Sequence, residues 1–136
     1  LSKPKLTAEQ RVKNKAAGLK KARVTREVNR LSAIFAKLSK DTRSVAEGLI
    51  RRAAYMRVTL EDYEKDIDSG GSVEMFKQTE NAPTYERVRP VAQLYNTLSK
   101  NYQTICKQLT DLLPKDDPLI NLEADDGFDA FVAKKS

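Results

Sequence analysis

Apolar side chains recur along this chain at two long helical spacings, and these set the first expectations. Wound at about 100° per residue, Val91, Leu94, Tyr95, Leu98, Tyr102, Ile105, Cys106, Leu109, Leu112 and Leu113 fall within a sector of about 120°. Pro90 heads this run at a first-turn position, where its missing N–H costs nothing, and Pro114 stops it. A second stripe runs Val45, Leu49, Ala53, Met56, Leu60, Tyr63 and Ile67, in near-heptad steps of three and four. Ser39, Asp41 and Thr42 supply turn and N-cap chemistry ahead of it, and "DSGGS", residues 68–72, ends it with glycine. Both stretches are predicted to be long helices.

The N-terminal third is less regular. "TAEQ" has the spacing of a capping box, in which Thr7 accepts from the backbone of Gln10 and Gln10 reaches back, so a helix begins near Ala8. Val12, Ala16 and Leu19 share one face, whereas Val24, Val28, Leu31, Phe35 and Leu38 share another, turned by about a quarter circle or more. Gly18 lies where the face shifts. The pattern predicts a short helix to about Ala17, a bend, and a second helix from about Lys21 to Ser39; one continuous helix with two faces is the other reading.

Residues 73–89 lack helical periodicity. Val73, Met75 and Phe76 suit one short strand and Tyr85 to Val88 another, so a hairpin and an irregular crossover are both open. The final stretch, 115–136, is acidic with scattered hydrophobes and is expected to be extended or disordered by itself. These boundaries define a basic helical region over 1–41, a central helical core over 42–114 with its crossover at 68–89, and the acidic tail. The expected fold class is mainly α, with long antiparallel helices and the hairpin or crossover between them.

Composition narrows function by exclusion. The 136 residues are 32% charged and 40% hydrophobic, with one cysteine and no histidine or tryptophan. The commonest general base and metal ligand is therefore missing, and no cofactor is expected. The densest acidic set, Glu61, Asp62, Glu64, Asp66 and Asp68, points in nearly every direction on a helix and suits a solvated end rather than a metal site. Gly70 and Gly71 act as a helix stop, not a phosphate loop. Cys106 belongs to an apolar face and is expected to be a small core residue. No apolar run approaches the roughly 20 residues that cross a bilayer, so no membrane partner is expected, and an intracellular protein is the default.

Charge is more informative. Residues 1–57 carry 16 Lys and Arg against 4 Asp and Glu, while the remainder is net acidic. Such an imbalance favours a polyanionic partner. Arg23, Arg26, Arg30 and Lys37 line one flank of the Val24–Phe35 stripe, and Lys13, Lys15, Lys20 and Lys21 surround Gly18, so these eight are the candidate DNA-binding residues. Arg51, Arg52 and Arg57 add charge to the next helix. Aromatic interleaving is absent there, which favours contact with a duplex backbone over base stacking. The ten apolar positions of the last helix exceed what one antiparallel partner covers. The surplus is expected between subunits, through Leu49, Met56, Leu60, Tyr63, Leu94, Tyr95, Leu98, Tyr102, Ile105 and Leu109. A monomeric three- or four-helix bundle is the competing reading.

Within residues 89–114, Arg89–Pro90, Tyr95–Asn96–Thr97, Lys107–Gln108–Leu109 and Leu112–Leu113–Pro114 together resemble the central segment of small terminase subunits of tailed bacteriophages. The layout is similar over about residues 43–114, roughly half the chain; a clear N-terminal helix-turn-helix, which many members carry, is not evident. The resemblance implies a non-enzymatic subunit that assembles into a ring, here expected to hold eight or more copies, in the host cytoplasm. It would bind viral double-stranded DNA and deliver it to the large terminase subunit, often through a C-terminal segment. Phe128 and Phe131, spaced i, i+3 in "DDGFDAF", are the candidate large-subunit contacts. Arg87 and Arg89 then read as interface or ring-surface charges. A nucleoid-type or regulatory DNA-binding dimer is the alternative function.

Overall fold

The computed structural model describes residues 2–115. Its elements are α1 (Ala8–Ile34), α2 (Lys40–Gly70), β1 (Val73–Phe76), β2 (Tyr85–Val88) and α3 (Pro90–Asp111). Phe128 and Phe131, with the rest of the tail beyond Lys115, lie outside the described residues.

The capping box forms as its spacing requires. Thr7 Oγ1 accepts from Gln10 N at 3.1 Å, and Thr7 N donates to Gln10 Oε1 at 2.9 Å. From that start α1 runs unbroken for 27 residues, so no bend occurs at Gly18. A lone glycine costs about 1 kcal/mol in a helix interior, and the strong helix formers around it (Ala16, Ala17, Leu19, Lys20) outweigh that. The helix ends at Ile34, short of the expected Ser39. Phe35 turns into the core, and Ser39 is needed as N-cap of α2, where its Oγ accepts from Thr42 N at 3.4 Å.

α2 has 31 residues, a rod of about 46 Å at about 1.5 Å per residue. Gly71 terminates it with φ +76° and ψ 176°, a conformation open essentially to glycine alone, and its N–H donates to Ile67 O at 2.7 Å. The chain then forms the hairpin, not an irregular crossover, with register Val73↔Val88 to Phe76↔Tyr85. The Phe76 and Tyr85 rings meet edge to face at 5.8 Å, and the Arg87 guanidinium lies 3.4 Å over Phe76 while Nε donates to Glu74 at 2.7 Å.

Arg89 fastens the other end of this excursion. Its Nη1 donates to Gly71 O at 2.7 Å and Nη2 to Asp66 Oδ1 at 2.6 Å, placing a cation at the negative end of the α2 dipole. A Cβ on Gly70 would sit 2.8 Å from Arg89 Nη1, so glycine there leaves room for the clamp. Arg87 and Arg89 thus both make intrachain ties.

α2 is the central element, with α1 and α3 packed against it. The principal core gathers the C-terminal ends of α1 and α3 around the start of α2: Phe35, Ala46, Ile50, Ala53, Leu109 and Leu113 are buried together. Serving two neighbours, α2 buries more than its near-heptad stripe. Ala46, Ile50, Ala54 and Val58 are buried off that stripe, whereas Val45 on it is 62% exposed. This geometry corrects part of the expected subunit interface. Leu60 and Leu109, at 7% and 3% exposure, are covered within a single chain. Leu49, Tyr102 and Ile105 pack against the same core, and Met56, Tyr63, Tyr95 and Leu98 are half-buried. Of the ten expected interface residues only Leu94, 53% exposed, is left largely open. Among the described residues, no helix is long and apolar enough to cross a membrane.

Candidate nucleic-acid interface

The Val24–Val28–Leu31–Phe35 face of α1 points toward the core, and the helical period distributes its polar residues to two flanks. Arg23, Glu27 and Arg30 fall on one side; Lys21, Thr25, Asn29 and Ser32 fall on the other. The two flanks differ sharply in what they offer a ligand.

On the first flank the cations are already engaged. Arg23 donates to Asp62 Oδ1 at 2.6 Å and Glu61 Oε2 at 3.1 Å across the helix pair. Arg57 links Glu61, at 3.6 Å, to Glu27, at 3.3 Å. Arg30 closes on Glu27 with two bonds, Nη2 at 2.6 Å and Nε at 2.9 Å. Three guanidiniums thus alternate with three carboxylates. The bond to Asp62, followed by that to Glu61, raises the Arg23 pKa, and the bond from Arg30 holds Glu27 below the ordinary carboxylate value. The Glu27 side chain is only 11% exposed, so it is the anchor of the lattice. Arg26 lines the same depression but has no carboxylate partner among the described residues.

The second flank carries no acid on α1. Arg11, Lys15, Gly18, Lys21, Thr25, Asn29 and Ser32 follow one helical line, and every one of them is exposed. From Arg11 to Ser32 the line spans about 32 Å at about 1.5 Å per residue. Across the seam α2 adds two adjoining depressions. One, of about 460 Å³, is lined by Gly48, Arg51, Arg52, Tyr55 and Met56; the other, of about 330 Å³, includes Lys21, Thr25, Asn29, Arg51 and Tyr55.

The candidate residues chosen from sequence therefore divide. Arg23 and Arg30 are not available as free cations. Lys20 has no carboxylate partner among the described residues, donating to Thr59 Oγ1 at 3.0 Å and lying 4.3 Å over the Tyr55 ring. Lys13 makes an exposed pair with Glu9 at 3.2 Å, which solvent weakens. Lys15, Lys21 and Lys37 are exposed with no carboxylate partner among the described residues, though Lys37 stands apart in the turn after α1. Sequence reasoning left out Arg11, Gly48 and Tyr55 and treated Arg51 and Arg52 as general charge. A signal for the α1 part existed in the Arg11–Lys15–Gly18–Lys21 periodicity; the α2 part required the helix pairing.

Three exposed cations, Arg11, Lys15 and Lys21, followed along the line by Thr25, Asn29 and Ser32, are of the residue types that contact sugar-phosphate backbones. No protein-family model, curated protein or solved structure matches this chain, and the reading rests on the site's own geometry.

Proposed function

We propose that this chain is a DNA-binding subunit that engages the backbone of duplex DNA along α1, and that it serves as the recognition subunit of a viral packaging motor, as small terminase subunits do. The observation that carries the DNA reading is the exposed line from Arg11 to Ser32, about 32 Å long, to which α1 contributes three cations and no acid, with Glu47 of α2 beside its Asn29–Ser32 end. The narrower packaging role is supported by the resemblance over residues 89–114. In that role the protein forms a ring and passes viral DNA to the large terminase subunit through the tail bearing Phe128 and Phe131.

A second reading, a nucleoid-type or regulatory DNA-binding dimer, gains from one observation: burial of Leu60 and Leu109 within the chain leaves less apolar surface for a large interface. Native mass spectrometry separates the two, eight or more copies supporting the ring and two copies supporting the dimer. The DNA reading is tested by titrating a labelled duplex at rising salt. Four to six neutralised phosphates give a log–log slope of about −3.6 to −5.4, whereas absence of binding at physiological salt would reject it.

A further inference from the structure

We infer that Gly48, Arg51, Arg52 and Tyr55 on α2, with Lys21 and Asn29 across the seam, form a second phosphate-contact site for duplex DNA, with Gly48 the point of closest approach. This inference rests on the DNA-binding reading above and extends it from α1 to a specific surface of α2.

Gly48 marks this surface as Gly18 marks the α1 line: at either glycine an added Cβ would meet no atom within 4 Å, and what sets Gly48 apart is the depression it shares with Arg51, Arg52 and Tyr55. Glycine in a helix interior is destabilising by roughly 0.5–1 kcal/mol relative to alanine, so a packing reason is expected for it. None is found among the described residues, where a Cβ built at Gly48 meets no atom within 4 Å. Gly70 shows the contrast, since its missing Cβ makes room for Arg89. At Gly48 the exposed helix backbone is instead bare toward solvent, in a depression that Arg51, Arg52 and Tyr55 share with it. At i+3, i+4 and i+7 these three lie on the same helix face.

The neighbouring charges suit a phosphate. Arg52 has no carboxylate partner among the described residues. Among the described residues Arg51 pairs with Glu47 alone, at 3.2 Å with both side chains 65% exposed, a contact weak enough to be exchanged for a phosphate oxygen. Tyr55 is 56% exposed and holds the Lys20 ammonium over its ring, keeping a further cation at the edge of the site. Lys21, Thr25 and Asn29 lie in the adjoining depression and join this patch to the α1 line. A single aromatic ring gives no ladder for stacking successive bases, so the site fits a duplex backbone and not a single strand.

The test compares the full chain with Gly48→Ala, Gly48→Leu and the double variant Arg51→Gln/Arg52→Gln, measuring thermal unfolding and duplex affinity across a salt series. Gly48→Ala is expected to raise the unfolding temperature by about 2–5 °C and yet weaken DNA binding, a combination that a merely structural glycine would not produce. Gly48→Leu is expected to bind about tenfold more weakly, equivalent to about 1.4 kcal/mol. The arginine pair is expected to flatten the log–log slope by about 1.8. Wild-type-like binding by all three variants, with the parent chain binding steeply, would overturn this site and leave the α1 reading standing. No duplex binding by the parent would overturn both. Poly-glutamate that displaces the duplex at equal charge and is itself weakened by Gly48→Leu would assign the surface to an acidic protein instead, and that too overturns the proposal.

Discussion

Replacing Arg23 with methionine keeps the side-chain stem and removes the guanidinium that joins α1 to two carboxylates of α2. Asp62 and Glu61 then face each other with only Arg57, 3.6 Å from Glu61, left to compensate them. The side chains of Arg23, Asp62 and Glu61 are 25%, 39% and 46% exposed, so solvent screens each pair. At about 0.2–1 kcal/mol per exposed pair, two pairs contribute about 1–2 kcal/mol once the residual carboxylate repulsion is included. For a domain of this size that lowers the unfolding temperature by about 4–8 °C, measurable by circular dichroism. DNA binding should respond differently. A cation already neutralised by two carboxylates releases no counterion, so the salt slope should change by far less than the roughly 0.9 expected per phosphate contact. An unchanged unfolding temperature, together with a slope shallower by about 0.9, would show that Arg23 faces phosphate and would refute the lattice.

Three further outcomes follow from the fold. Gly71→Ala forces a side chain into the φ +76°, ψ 176° conformation and should cost about 1–3 kcal/mol in urea unfolding. Leu109→Ala, at 3% exposure, should cost about 2–5 kcal/mol and exceed the effect of Arg23→Met in the same measurement. Glu27 is held below its ordinary value of 4.5 by Arg30, so its contribution to stability is complete above pH 4.5 and is lost as the pH falls through the lowered folded-state value. Glu27→Gln should therefore reduce stability at neutral pH and flatten the acid limb of the stability profile.

Features set by neighbours in sequence were legible before the structure. The Thr7–Gln10 capping box, Pro90 at a helix start and the Gly70–Gly71 stop depend on local backbone chemistry and formed as read, while of the two readings left open for residues 73–89 the hairpin is the one observed. Features set by pairing distant segments were not. The stripe from Val45 to Ile67 captured one side of α2, but a helix held between two others also buries Ala54 and Val58, which look unremarkable in a one-face pattern. Gly18 suggested a break because the apolar face shifts there, yet α1 before Lys20 has no partner to satisfy, so a changed face imposes no bend. The site shows the same division. Positive charge in the first 57 residues was plain, whereas Arg23 is paired with Glu61 and Asp62, 38 and 39 positions away, and only the α1–α2 packing reveals that pairing. Counting charge located the region; knowing which charges are already matched selects the surface.

That selection is tested most directly by neutralising the line itself. The triple variant Arg11→Gln/Lys15→Gln/Lys21→Gln alters three exposed side chains that make no ion pair among the described residues, so unfolding should be nearly unaffected. Fluorescence anisotropy on a labelled duplex, from low to physiological salt and beyond, would give its log–log slope beside that of the parent. The account predicts weaker binding and a slope shallower by about 2.7, from three lost phosphate contacts. A parent and a triple variant with the same affinity and the same slope would contradict it.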